Sequence, residues 1–97
     1  MRLENSNLKD LIIINTVSPA SPATITPSTA NYIDIPFSAP DGYKAISAYP
    51  RSTGNSLLFA VQCELKNSNT VTINLGNLSG SAREAKPFVN VVFIRDL

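Results

Sequence analysis

Carboxyl groups are the side chains of this chain that could carry acid–base chemistry, because the sequence contains no histidine. Without an imidazole there is no Ser-His-Asp or Cys-His arrangement and no histidine-based metal site. A glycoside hydrolase needs only two suitably spaced carboxyl groups, and the candidates are Asp34, Asp41, Glu64, Glu84 and Asp96. They fall in different strands and loops, where each is more simply a surface charge or turn residue. We therefore predict a protein that is not an enzyme, with no catalytic residue, metal or cofactor.

Cys63 is the only cysteine, so no disulfide can form within the chain. It lies in the alternating apolar run Leu57, Phe59, Val61, Cys63, Leu65, where a free thiol behaves as a small buried hydrophobe. With no histidine to lower its pKa, we expect an unreactive thiol.

Polar residues near tyrosines offer a basis for binding instead. Thr70, Thr72 and Asn74 alternate along one predicted strand and, with Gln62, could hydrogen-bond a sugar. Tyr32, Tyr43 or Tyr49 could stack on the sugar ring, although an ordinary solvated sheet face explains the same residues. The candidate ligand-binding residues, drawn from strand margins and the polar segments between strands, are Tyr43, Tyr49, Arg51, Asn55, Asn77 and Arg83.

The charge of the chain argues against a polyanionic partner. Eight basic residues balance seven acidic ones, and the basic residues after residue 40 are scattered, whereas nucleic-acid binding needs clustered Lys and Arg. The apolar stretch at residues 11–14 is far shorter than the roughly 20 residues of a membrane span, and no secretion signal is recognisable. We predict neither nucleic acid nor membrane as a partner, and a cytoplasmic location unless the chain belongs to a virion.

Alternation of apolar and polar residues, the signature of β-strands, dominates the chain. With 97 residues there is room for one domain, with an N-terminal strand and a Pro/Ser/Thr-rich segment in residues 1–29 and a core in residues 30–97. A helical turn could fit residues 1–10. About six strands predict a small all-β antiparallel sandwich, jelly-roll-like or immunoglobulin-like, and the runs are residues 11–17, 31–37, 43–49, 56–65, 70–75 and 88–95.

The connections between these runs are predicted to differ in kind. Residues 18–28 contain three prolines and are expected to be an extended loop. Residues 40–42 predict a turn into the third run, residues 66–69 a hairpin between the fourth and fifth, and residues 76–87 a long polar loop. In the fourth run, we expect Leu57, Phe59, Val61, Cys63 and Leu65 to be buried.

The C-terminal run Phe88–Arg95 is apolar on both of its alternating faces. A small sheet covers only one face of a strand, so the second face is expected to meet another sheet or another copy of the chain. The sequence does not separate core from subunit interface, and the candidates for either are Ile12, Ile14, Val89, Val91 and Phe93. Val89, Val91 and Phe93 are the predicted interface residues.

Four stretches occur in an order with a known counterpart: Ile33-Asp34-Ile35-Pro36-Phe37, Pro40-Asp41-Gly42-Tyr43-Lys44-Ala45-Ile46, Asn69-Thr70-Val71-Thr72-Ile73-Asn74-Leu75-Gly76-Asn77 and Val89-Asn90-Val91-Val92-Phe93-Ile94-Arg95. This order resembles the C-terminal head domain of tail-fibre or baseplate (receptor-binding) proteins of phages and prophages from Gram-positive hosts. The resemblance covers roughly residues 30–95 and is one of pattern. It departs in length, because such heads usually follow a long shaft, so this chain would be a small free-standing virion protein or a domain cut from a longer one.

The resemblance implies a β-sandwich that assembles as a homotrimer and binds a saccharide or protein on the host surface. The sequence leaves an alternative open, namely a small interaction module that acts as a monomer or dimer and binds a protein partner through an open sheet edge.

Overall fold

The computed structural model describes residues 10–96, which form eight β-strands. The strands are β1 Ile12–Val17, β2 Ala23–Ile25, β3 Asn31–Pro36, β4 Tyr43–Ser52, β5 Leu58–Asn67, β6 Thr70–Asn77, β7 Arg83–Ala85 and β8 Phe88–Arg95. Six of them match the predicted runs, so the all-β class is confirmed. The short strands β2 and β7 lie in segments predicted to be loops, and the helical turn expected over residues 1–10 lies, except for Asp10, outside the described residues.

Two three-stranded antiparallel sheets make up most of the described chain. The first, called here the β8 sheet, has the order β1-β8-β4, and the second, the β6 sheet, has the order β3-β6-β5. β2 and β7 pair as a separate two-stranded ribbon. The first and last strands of the described chain, β1 and β8, are neighbours, and their pairing runs from Ile12 opposite Ile94 to Val17 opposite Val89. The result is a small sandwich of the predicted class.

The core lies between the central strands of the two sheets. Val71, Ile73 and Leu75 of β6 have no exposed surface, and the same holds for three residues of β8, namely Val89, Val91 and Phe93. Phe37, after β3, meets Phe93 edge-on, with ring centroids 5.6 Å apart. Burying each such side chain stabilises the fold by about 1.5–3 kcal/mol. The alternation of β6 therefore predicted its inward face correctly, whereas the run of β8 is apolar on both faces and did not show which face is inward.

This burial corrects the predicted interface. Val89, Val91 and Phe93 lie wholly inside a single chain, so they cannot contact a second copy of it. The two isoleucines from the same candidate set have the opposite placement, since Ile12 is 54% exposed and Ile14 is 52% exposed. The structure thus separates the core from the exposed face, which the sequence could not do.

The predicted burial of β5 is also corrected. Leu58 is buried, whereas Leu57, Phe59 and Val61 are exposed by 40–52%. Leu58 lies opposite Asn77 and Cys63 opposite Ile73, with a β-bulge between Ala60 and Gln62. One extra residue in a strand reverses the alternation beyond it, so the predicted inward face holds only for Cys63 and Leu65, which are half-buried.

The turn at residues 40–43 passes between the sheets and does not form a hairpin. The N–H of Tyr43 donates to the carbonyl oxygen of Pro40 at 3.0 Å. Gly42 has a φ of 82°, as the third residue of a type II turn requires. The chain thereby leaves β3 in the β6 sheet and enters β4 in the β8 sheet, while the predicted β5–β6 hairpin is present.

Phe59 and Gly76 form a cross-strand pair on the outer face of the β6 sheet. A Cβ atom built on Gly76 would lie only 2.3 Å from Cζ of Phe59. The ring therefore lies over the glycine backbone, an arrangement in which an aromatic residue shields a glycine within a sheet. Gly76 is buried for this reason, although it faces outward.

We predict that Gly76→Ala destabilises the protein by about 1 kcal/mol, because the new methyl group displaces the Phe59 ring. The same change should cost much less in a Phe59→Ala background, where nothing occupies that space. Urea denaturation of the four chains of this double-mutant cycle measures the coupling. Additive effects would show that the ring and the glycine do not interact.

Candidate functional site

The six predicted ligand-binding residues do not form one site. Tyr49 lies on the outer face of the β8 sheet, opposite Asn90. Arg51 follows two residues later on β4 and lies on the same face. Tyr43 lies at the start of the same strand, where its hydroxyl donates to the backbone oxygen of Asp10. The guanidinium of Arg95 lies 5.7 Å from the centroid of the Tyr43 ring, a cation–π distance. Tyr43 therefore holds the two ends of the described chain together.

Asn77 has a structural role, which removes it from the candidate ligand contacts. Its side chain is 1% exposed. The amide nitrogen donates to the carbonyl oxygens of Ile25 and Ser81, both at 2.9 Å. The amide oxygen accepts from the backbone N–H of Ser79 at 3.0 Å and from its hydroxyl at 2.7 Å. Asn77 thus joins the end of β6 to β2 and shapes the turn that leads to β7.

Asn55 and Arg83 are partly exposed and make contacts within loops. The Asn55 amide oxygen accepts from the N–H of Leu57 at 3.0 Å, and its nitrogen donates to the carbonyl oxygen of Glu84 at 3.4 Å. Arg83 donates through Nε to the hydroxyl of Ser79 at 3.1 Å. Asn55 thus links the loop before β5 to β7, and Arg83 links β7 to the turn that precedes it.

The outer face of the β8 sheet is apolar at its centre. Ile12 lies opposite Ile94, and Ile14 lies opposite Val92, with Ile94 and Val92 half-exposed. We call these four residues the apolar face. Its two ends are polar, with Lys44 3.9 Å from Asp96 at one end. At the other end Arg51 donates to the Thr16 hydroxyl at 3.1 Å, and Thr16 donates to Asn90 at 2.6 Å.

The outer face of the β6 sheet is polar, and it contains a shallow, open cleft. Tyr32 lies opposite Asn74, which lies opposite Gln62, and in the adjacent row Thr72 lies between Asp34 and Glu64. We call the residues that line the cleft the polar face, and they are Tyr32, Gln62, Glu64, Thr72 and Asn74. The sequence had indicated this surface through the alternation of β6 and through Gln62 and Tyr32. It named Glu64 only among the scattered carboxyl groups.

Asn74 forms the floor of this cleft. It is 4% exposed, and its amide oxygen accepts from the N–H of Asn31 at 2.7 Å while its nitrogen donates to the carbonyl oxygen of Thr29 at 3.0 Å. Tyr32, in contrast, is 65% exposed. A fixed amide thus lies beneath an accessible aromatic ring and the exposed side chains of Gln62 and Glu64.

Asp34, beside the polar face, is held as a carboxylate. Lys66 lies 2.7 Å from its Oδ2, and the Thr72 hydroxyl donates to its Oδ1 at 2.6 Å. The hydrogen bond from Lys66, followed by that from Thr72, lowers the pKa of Asp34. A general acid of a glycosidase needs the opposite shift. Asp34 therefore does not suit the general-acid role, although it and Glu64 flank the same threonine.

Cys63 lies on the inner side of β5 and is half-buried. Burial raises the pKa of its thiol, and the nearby charge of Glu64 adds to this effect. A raised pKa lowers the thiolate fraction at neutral pH, consistent with the expected unreactive thiol.

No group of three His, Cys, Asp or Glu side chains in residues 10–96 could hold a metal ion. The same range contains no helix with the length and hydropathy needed to cross a membrane. Comparisons with protein-family models, curated proteins and solved structures found no match to this chain. The two outer faces of the sandwich are therefore the candidate functional surfaces.

We predict that Asn77→Ala destabilises the protein by roughly 3 kcal/mol, because four hydrogen bonds are lost and buried carbonyl groups lose their donor. Chemical denaturation measures the change. Asn69→Ala is the matched control, since Asn69 is exposed and its amide oxygen accepts only from the neighbouring Thr70 hydroxyl at 3.3 Å among the contacts described. Equal stability of the two variants would contradict the structural role of Asn77.

We also predict that Lys66→Met raises the pKa of Asp34 toward the usual value for an aspartate, because the largest cause of its lowering is removed. NMR titration of the Asp34 carboxyl carbon measures it, with Lys44→Met as the control. The folded-state pKa is lowered, so the ion pair stabilises the fold above the unfolded-state pKa, and this contribution is lost as the pH falls through the lowered value. An unchanged Asp34 titration in Lys66→Met would contradict the assignment.

Proposed function

We propose that this chain is a non-enzymatic structural and binding domain of a phage or prophage particle, of the tail-fibre or baseplate head type, and that it assembles with copies of itself. The resemblance described above supplies the type of particle, the homotrimer and the recognition of a host surface. The observation that carries the assembly is the apolar face of the β8 sheet, which lies exposed on the single chain.

The composition of the apolar face supports self-association. Four aliphatic side chains form two adjacent cross-strand rows, and Ile12 and Ile14 are each exposed by more than half. Contiguous exposed apolar patches of this kind are often functional. Stable interfaces bury roughly 800 Å² on each partner. The apolar face would be the centre of such a contact, with polar residues of β1 and β4 as its rim.

The charges at the ends of the apolar face point to a second copy as the occupant. Lys44 is paired with Asp96, and Arg51 is engaged by Thr16. The pair of Lys44 and Asp96 is neutral, whereas the Thr16 hydroxyl fixes the Arg51 guanidinium without neutralising it. The ends of the face therefore carry one uncompensated positive charge between them, too little to select a strongly acidic protein. An equally apolar, weakly charged surface complements it, and another copy of this chain provides one.

The alternative, in which the domain binds a protein by strand addition, is restricted to one edge. β3 ends at Pro36, β4 contains Pro50 and two bulges, and β5 contains two bulges. Prolines and bulges hinder pairing with another strand. Among the edge strands of the two three-stranded sheets, β1 alone has neither feature. A monomer that captures an extended peptide along β1 would favour this alternative.

We predict that the purified chain forms a trimer and that Ile14→Asp dissociates it to folded monomers. The substituted side chain is already 52% exposed in the single chain, so the carboxylate is costly only when a partner removes the remaining water. Light scattering gives the mass and circular dichroism reports folding.

Leu78→Asp is the control for this test. Leu78 is 77% exposed and lies in the turn after β6, away from the apolar face, so the trimer should survive. A monomeric parent chain, or an Ile14→Asp variant that remains trimeric, would count against assembly through this face.

A further inference from the structure

We infer that the polar face of the β6 sheet is a binding site for an uncharged saccharide, with Tyr32 as the stacking ring and Gln62 as a principal hydrogen-bonding group. The inference rests on the proposed binding role and names its site and ligand class. It uses the opposite side of the sandwich from the apolar face, so assembly and binding can be tested separately.

The arrangement of the aromatic residues is the first argument. Tyr32 on β3 is 65% exposed and Phe59 on β5 is 40% exposed, and both belong to the outer face of the same sheet. Tyr32 pairs with Asn74, and Phe59 lies over Gly76, two residues further along β6. The two rings therefore lie on opposite edge strands of the sheet, offset by one outward-facing position along β6. Sugar rings present one apolar face of C–H groups, which packs against an exposed aromatic ring.

The polar groups beside Tyr32 are the second argument. Gln62 offers both a donor and an acceptor, Glu64 offers acceptors, and the Thr72 hydroxyl has lone pairs besides the proton it donates to Asp34. Neighbouring hydroxyls of a sugar act as donor and acceptor at once, which matches this mixed set. Tyr32 is on β3 and Gln62 is on β5, and β6 lies between these strands. The two strands are therefore roughly 10 Å apart, about the length of a disaccharide.

The charge of the face selects among saccharides. Lys66, the nearby cation, is bound to Asp34 at 2.7 Å, and this pair is neutral as a unit. The carboxylate of Glu64 is the remaining charge among the residues that line the cleft. Acidic saccharides would be repelled by it. A neutral oligosaccharide can instead donate a hydroxyl to Glu64, so it is the class of ligand that fits best.

The geometry also disfavours a peptide on this face. The backbone groups of β6 are paired on both sides, with β3 and with β5, so an extended chain lying across the sheet has no ladder to join. Peptide recognition by strand addition requires an open edge. Contacts on the polar face must come from side chains, as they do when sugars bind.

A glycan array of neutral, amino and acidic saccharides, followed by calorimetry with the neutral oligosaccharides that bind, tests the inference. We expect binding to neutral members. Tyr32→Ala should weaken it roughly tenfold through loss of the stacked ring, and Gln62→Ala roughly fivefold. Tyr32→Phe keeps the ring and should retain most of the affinity. Each substitution is at an exposed position, and circular dichroism verifies folding.

Tyr49→Ala is the matched control, because Tyr49 is 43% exposed but lies on the other sheet. Binding that survives Tyr32→Ala, or that is lost in Tyr49→Ala, would overturn the assignment of the site. Absence of binding to every neutral saccharide, or a preference for acidic ones, would overturn the ligand class. Light scattering on the same samples distinguishes the two proposals: a trimer without binding rejects only the saccharide site, and a monomer that binds rejects only the assembly.

Discussion

The packing of β6 against β8 is the contact on which the rest of this structure depends. Each is the central strand of its sheet, and each contributes three residues without exposed surface. Because strand residues alternate between faces, fixing those six side chains inward also fixes which residues point outward. β8 then presents Val92 and Ile94 to the outside, whereas β6 presents Thr72 and Asn74. The two sides of the sandwich differ in chemistry as a direct result.

Irregularities in the outer strands adapt this simple pattern to the chain. Bulges interrupt β4 and β5 at two places each, and each bulge adds a residue that increases the local twist. In β5 the bulge lets Leu58 and Cys63 both face inward and leaves Phe59 on the outer side, where it lies over Gly76. The aromatic character of the polar face therefore depends on an irregularity of the strand.

The sequence predicted the burial of residues correctly where apolar and polar residues alternate strictly. It failed where burial depends on the register between paired strands. The run of β6 gave the correct inward residues because its apolar and polar residues alternate strictly. The run of β8 did not, because both of its faces are apolar and its inward residues were predicted as an interface. The burial of Leu57, Phe59 and Val61 was mispredicted because the bulge position depends on the register with β6. β2 and β7 were missed because each has three residues and a proline-rich or polar context. Asn77 resembled a surface loop residue, although its neighbours Ser79 and Gly80 are typical of a side-chain-capped turn.

The pairing of β1 with β8 has a further consequence for how the domain can be connected to other chains. Ile12 lies directly opposite Ile94, and the N–H of Arg95 donates to the carbonyl oxygen of Leu11 at 2.9 Å. The points at which the chain enters and leaves the sandwich are therefore adjacent. Domains with this geometry tolerate insertion into a loop of another protein and circular permutation. This sandwich is therefore suited to insertion into another protein, which would need to supply only two neighbouring attachment points.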